Sequence, residues 1–427
     1  MEKEVKKYKL IIAVVMIFAI VIRLMYVLES QILTIQYDVG NPGKILDEEE
    51  YESLYEIYDE EPYVGRHIHY IMQLYHGDGL ANEILGQFYH PPLHHFILAN
   101  ILRVMDNFDV PASVKLETMQ FAPLLYSIII LVAVYKILGE LGLDEKDKIL
   151  PMVLMGFLPI NIYMAGAINN DTLVLMFSVL SLLYTLKWQK NPSMKNAILL
   201  ALWLGLGMMT KTSIIVMIIP AVYVYFKELI DQVYKDKKYW KLLVQLLVFA
   251  IIVGSLGLWF QFRNLLVGLN TIGIIQPNEN LSVAHYSVWE RFGFSSILRM
   301  SECNLWNNLV FTSINYGLIY GESLVEGLVA LATAVLIIIS MCLMCINVKE
   351  NMVLVITYLM WWIGYLYLNI SMPYSCSMCA RYMVMPLMIG FIMLSKGMAK
   401  EDSKAFKGLI YLCTLAICIF SIACFVF

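Results

Sequence analysis

Charge is what this chain has least of. Only 15% of its 427 residues are Asp, Glu, Lys or Arg, where a soluble domain carries about a quarter. That scarcity, beside 60% hydrophobic residues, excludes an ordinary soluble enzyme. The net charge of -4 says little, because the charges are segregated by side, and nothing in it suits nucleic acid. No soluble domain and no internal repeat stand out. The first apolar run, Leu10–Leu28, lacks a small-x-small cleavage site, so it is expected to remain as a first helix. The eight cysteines contain two C-x-x-C spacings, Cys342/Cys345 and Cys376/Cys379. Neither has a second pair at zinc-like spacing. The former lies inside an apolar run and reads as two small hydrophobes.

What the chain has instead is apolar runs of about 20 residues, each enough to cross roughly 30 Å of hydrocarbon. They predict helices at 10–28, 117–138, 149–167, 171–187, 197–210, 213–227, 242–261, 325–346, 351–368, 382–395 and 408–427. The expectation is an all-α polytopic membrane protein of about 11 transmembrane helices, one domain over 1–427. Lysine orients it. With a cytoplasmic N-terminus, every lysine except Lys44, Lys115 and Lys211 falls in a cytoplasmic segment, as the positive-inside rule requires. Two long segments, 29–116 and about 262–324, then face the other side. Arg66, Arg103, Arg263, Arg291, Arg299 and Arg381 all fall in such outer segments, and Arg23 in the outer part of the first helix. The localisation expected is a bacterial cytoplasmic membrane, with these segments and any site they carry on its outer face.

The same parity settles two ambiguous segments. Pro91–Met105 is only about 22 Å long as a helix, and making it a span would turn the downstream lysines outward. It is read as an amphipathic helix in the outer interface. Residues 197–227 are flanked by lysines at both ends and must cross twice. Lys211 therefore sits at a hairpin tip too short to emerge fully into water, where an ionisable group costs a few kcal/mol or more and suggests function.

Six of the seven histidines lie between 67 and 95. His90 precedes Pro91-Pro92, whose rings fix φ and withhold two amide donors, giving a stiff start to the interfacial helix. His94 and His95 ride on that helix as packing or acceptor contacts, and the earlier histidines read as loop residues outside the site. Asp38, in Gln36-Tyr37-Asp38-Val39-Gly40, follows the first helix by about ten residues. Arg263 follows the long helix 242–261, and Arg381 opens another. An acid able to take a proton, facing several cations at a lipid boundary, suits the transfer of a sugar from a lipid phosphate to a hydroxyl. Duller readings stand beside this one. Asp38 is a turn or cap residue, the arginines pair with headgroups, Asp171 caps its helix, and Asp47 and Glu48 belong to a solvated acidic run. Asp171 has a second reading, in which it holds an acceptor.

The motifs in order are Asp38 after the first helix, His90-Pro91-Pro92-Leu93, Asn170-Asp171, Thr210-Lys211-Thr212-Ser213, Arg263-Asn264 and Ala380-Arg381-Tyr382 with Pro386. This order resembles the GT-C glycosyltransferases of the family-39-like group, which includes protein O-mannosyltransferases and lipid A aminoarabinose transferases. The resemblance implies a GT-C-like fold with Asp38 as catalytic base. It also implies that His90 and Arg263 contact the donor phosphate; Lys211 and Arg381, the other outer-face cations, are read as joining them. The family places Asp-Glu at the base position, where this chain has Asp38-Val39, so Asp47-Glu48 remains a rival. It often places Lys where this chain has His90, a phosphate partner whose charge depends on pH.

The function expected is that of an inverting glycosyltransferase. It moves a monosaccharide, hexosyl or pentosyl, from a polyprenyl-phosphate-linked donor to a hydroxyl of a lipid, glycan or protein acceptor. No cofactor is required, and a divalent metal is possible but not favoured. A transporter, a flippase or a ligase for a whole lipid-linked glycan is the alternative. A transporter calls for inverted repeats and charge at mid-membrane.

Overall fold

The computed structural model describes residues 2–32, 46–83, 85–235, 239–269, 284, 286–292, 324–346, 348–373, 377 and 379–426. Among these the chain is helical, with no strand. In chain order the helices are α1 (Glu2–Glu29), α2 (Glu48–Ile57), α3 (His67–His76), α4 (Leu93–Met105), α5 (Ala112–Glu117), α6 (Phe121–Glu140), α7 (Ile149–Phe157) and α8 (Pro159–Tyr163). They continue as α9 (Asp171–Lys190), α10 (Met194–Met208), α11 (Ile218–Tyr234), α12 (Trp240–Leu266), α13 (Val288–Phe292), α14 (Leu324–Ile346), α15 (Met352–Ser371), α16 (Val384–Lys400) and α17 (Lys404–Val426). Nine helical stretches among the described residues are long and apolar enough to cross a membrane, and α4 and α10 are shorter apolar helices. The all-α membrane architecture read from the sequence is the one observed.

Local chemistry sets the helix ends. Asp47 caps α2 by accepting from the Glu50 amide while the Glu50 carboxylate accepts from the Asp47 amide, and three acids fill the first turn, where the helix dipole favours them. Gly77 closes α3 at φ 93°, the left-handed conformation that glycine adopts without strain. Ser193 caps α10 by accepting from the Asn196 amide.

By its contacts the chain divides into two compact units interleaved in sequence. One comprises Met1–Tyr26, Ile128–Met164 and Asn278–Phe427, the other Val27–Ser127 and Ala165–Pro277. In the first, α7 packs against α16 and α17, and α16 against α14 and α15. The helix expected over 149–167 is broken here. Leu158 is extended because a residue preceding proline is driven out of the helical region. The carbonyls freed at the break are all taken. The buried Arg23 guanidinium donates to Gly156 (2.7 Å) and Met155 (3.2 Å). Asn161 donates to Met155 (3.0 Å) and Ser421 to Phe157 (2.5 Å).

In the second unit α10 packs between α9 and α12, α3 lies on α4, and α2 on α5. The antiparallel run of α9, α10, α11 and α12 brings the start of α9, the end of α10, the turn Thr212–Met217 and the end of α12 to one end of this unit.

Candidate active site

Three turns of the second unit are tied together at that end. Pro91 and Pro92 have no amide hydrogen, so the Leu93 N–H is the first donor at the head of α4. It meets the carbonyl of Met209, the residue closing α10, at 3.1 Å, so an orphan donor of one helix satisfies an orphan acceptor of another. The His94 Nε2 donates to the Ile168 carbonyl at 2.8 Å, and the Asn170 amide donates to the Thr210 carbonyl at 3.2 Å. These bonds tie together the turns that carry His90, Asp171 and Lys211.

Asp171 is the first residue of α9, and its amide donates to the Asn169 side chain at 3.0 Å. The cap position belongs to Asn170, which corrects the reading of Asp171 as cap. Its carboxylate pairs instead with the Lys211 ammonium. The two side chains are only 7% and 14% exposed, so the pair is largely withdrawn from water.

The histidines are more than loop residues. His67 and His69 on α3, His90 in the turn, and His94 and His95 on α4 are all buried. His94 and His95 fall on the same face of α4 as Leu98, Ala99 and Leu102, while Phe96 and Val104 are exposed. His67 Nδ1 and His95 Nε2 are 2.8 Å apart. The His67 ring lies parallel to His95 and, at 6.1 Å, to His90, and Tyr70 stacks on His95 at 4.2 Å. The Tyr70 hydroxyl donates to the His90 carbonyl at 3.3 Å. His69 Nδ1 accepts from the Gly65 amide at 3.0 Å. Burial pushes His94 down to about 4 and His95 well below the usual imidazole range, so both are neutral at pH 7. Gly86 holds the approach to His90: at φ 49° its Cβ would fall 1.8 Å from the Gly65 carbonyl oxygen, and that oxygen accepts from the Gln87 amide at 2.8 Å.

Arg263, near the end of α12, donates to the Leu80 carbonyl (2.8 Å) and the Asn82 side chain (2.6 Å). Two residues earlier, Gln261 donates to the Thr212 hydroxyl at 3.3 Å, linking the same turn of α12 to the Lys211 hairpin. Arg381 lies in the first unit, in the turn Ala380–Met383, and donates to the Tyr382 hydroxyl at 3.0 Å. Of the rival acids, Asp47 is engaged in its cap and Glu48 accepts from the Ser113 amide at 3.2 Å; the Ser113 hydroxyl, and after it the backbone amides of Ser113 and Ala112, hold the Glu48 carboxyl below the usual range. Asp38 lies outside the described residues. The chain on either side of it is described: Gln31 both donates to the Leu46 carbonyl (3.5 Å) and accepts from its amide (3.1 Å). The Glu117 carboxylate accepts from the Ile32 amide (3.0 and 3.2 Å) and from the Tyr51 hydroxyl. Among the described residues no group of three His, Cys, Asp or Glu is arranged to hold a metal ion.

Sequence reasoning missed the pairing of His67 with His95, and missed Gln31 and Glu117 altogether. For His95 a signal existed, since its spacing to Leu98, Ala99 and Leu102 places it on the buried stripe. For His67, paired across 28 positions, no local signal did.

Comparison with known proteins gives a family match over part of the chain. Residues 89–259 match the family model described as dolichyl-phosphate-mannose-protein mannosyltransferase. No curated protein matches the chain. Among solved structures, the Archaeoglobus fulgidus oligosaccharyltransferase in its apo form is 14% identical, with a TM-score of 0.49, over 97% of this chain. This chain spans about half, 54%, of that protein's length. The matched segment opens one residue before His90 and contains His94, Asp171 and Lys211, and over it the resemblance to the protein mannosyltransferases read from the motifs is borne out.

Proposed function

We propose that the protein is an inverting glycosyltransferase. It moves one sugar from a polyprenyl-phosphate-linked donor to an acceptor hydroxyl on the non-cytoplasmic face of the membrane. The observation that carries the reading is the coincidence of the mannosyltransferase-like segment 89–259 with the tied turns that hold His90, Asp171 and Lys211 at one end of a helical bundle.

The chemistry assigned is a single displacement. Asp38 takes the proton of the acceptor hydroxyl as its oxygen attacks the anomeric carbon, on the face opposite the phosphate. The bond from that carbon to the phosphate oxygen breaks, its electron pair leaves with the polyprenyl phosphate, and the configuration inverts. His90, Lys211 and Arg263 neutralise the phosphate as negative charge grows on it. Asp171 holds the Lys211 side chain in place until a lipid phosphate shares its three donor hydrogens. Phosphate leaves readily, so this route requires no cofactor. The lipid chain lies against the apolar helices, and a lipid, glycan or protein supplies the hydroxyl.

Purified protein mixed with polyprenyl-phospho-sugars tests the proposal. Acceptor-dependent release of polyprenyl phosphate is expected, and Asp38→Asn should retain donor binding while losing transfer by about a hundredfold or more, the scale of a lost general base. Normal turnover by that variant would move the base to another acid. Movement of intact donor across a bilayer, with no release, would replace the enzyme reading by a transporter.

A further inference from the structure

Beside His90 lies a group of imidazoles that the displacement above does not use. His67, His90 and His95 are 4%, 5% and 0% exposed, and their rings are nearly parallel, at 9° for His67 on His90 and 8° for His67 on His95. The hydrogen bond between His67 Nδ1 and His95 Nε2 carries one proton. Its direction follows from the far side of His95, where Nδ1 is buried with no partner among the described residues. A buried N–H without an acceptor costs more than a buried lone pair without a donor, so His95 carries its proton on Nε2 and donates to His67. The His67 Nδ1 lone pair is therefore occupied. Adding a proton there would force His95 into the other tautomer, with an unsatisfied N–H in the core.

We propose that His67 and His95 are positioning residues that keep His90 as the one imidazole of the group able to take up a proton when a lipid phosphate binds. The inference rests on the donor-phosphate role assigned to His90. A charge on His67 would lie across a parallel ring from His90 and oppose a charge there. With His67 held neutral, His90 stacks on an uncharged ring and can answer the incoming anion. Among the described residues the groups near His90 include Tyr70 on α3, on which Arg263 of α12 also acts, Tyr89 in the preceding turn and His94 on α4, while the hairpin tied to Leu93 contributes Lys211 and Asp171. Lys211 and Asp171 form an ion pair, and His94, held neutral by burial, donates to a carbonyl. None of these is placed to supply the proton-dependent charge that His90 supplies.

The test measures binding of polyprenyl phosphate to the purified full-length protein between about pH 5.5 and 8.5, bracketing the ordinary imidazole range. Wild-type affinity is expected to fall as pH rises. His95→Phe keeps a ring against Tyr70 but releases His67, and should move the midpoint about one unit toward acid, a tenfold loss at fixed pH. His95→Gln, whose amide can still donate to His67, should restore the wild-type profile. In a His90→Lys background the charge no longer titrates here, and His95→Phe should change affinity by less than about twofold. An equal loss in both backgrounds overturns the proposal, because it would report packing alone. An unmoved profile in His95→Phe overturns it too. A wild-type protein with no affinity for polyprenyl phosphate at any pH refutes the donor reading itself and takes this inference with it.

Discussion

Lys211 and Asp171 sit where neither charge is stable alone. Removing one partner of a buried pair typically costs about 3–5 kcal/mol, while replacing both by apolar groups of similar size is often neutral. Asp171→Leu is therefore expected to lower the thermal midpoint sharply, and Asp171→Leu with Lys211→Met to recover most of it without recovering transfer. Stability and transfer that return together would mean the pair is only structural. His94 makes a second residue-scale prediction. Its folded pKa of about 4 lies below the ordinary imidazole value, so between roughly pH 6.5 and 4 the unfolded chain binds the proton and the folded one does not. Stability present at neutral pH should decline by up to about 3 kcal/mol over that window, and thermal unfolding at stepped pH should show a flatter profile for His94→Gln, which keeps a donor for Ile168. At this scale the sequence was legible where chemistry and chain order coincide. Lys211 at a membrane-depth hairpin and His90 before two prolines could be singled out; the His67–His95 pair could not, because a polar contact between distant positions leaves no periodicity.

Helices are legible from apolar run length, and their interruptions less so. The run 149–167 reads as one helix because its residues are nearly all apolar, yet Pro159 outweighs that continuity by making Leu158 extended. The break survives because Arg23, Asn161 and Ser421 accept the cost of its open carbonyls, donating to all three. Arg23 reads in sequence as an outer charge on the first helix; in the fold it is buried on the broken end of α7. That contact needs α1 and α7 close together, and a Cβ on Gly156 would already lie 3.1 Å from the Ala19 Cβ. Gly156→Val is expected to destabilise by about 1–3 kcal/mol through overpacking, and Ala19→Gly in the same chain to restore part of the loss. A thermal midpoint unchanged by Gly156→Val would show that the two helices have room to part.

For the whole molecule, the strongest sequence signal is the segregation of lysine from arginine, which is a statement about sidedness that no set of internal contacts reports. In a cysteine-depleted background, Asp109→Cys should react with a membrane-impermeant maleimide in intact cells. Asp144→Cys and Asp402→Cys should react only after the membrane is opened. Labelling of all three from outside would reverse the topology and with it the face assigned to the reaction. The helical class, the apolar spans and the mannosyltransferase-like stretch were all readable from the sequence. The two interleaved units were not, since their boundaries at 26–27, 127–128, 164–165 and 277–278 fall at no change of composition.

The bonds of Gln31 to Leu46 and of Glu117 to Ile32 and Tyr51 join the two margins of residues 33–45 through groups that all lie outside that segment. Loss of Glu117 would therefore release Ile32 on one margin and Tyr51 beyond the other in a single step, a coupling that neither flank carries in its own sequence.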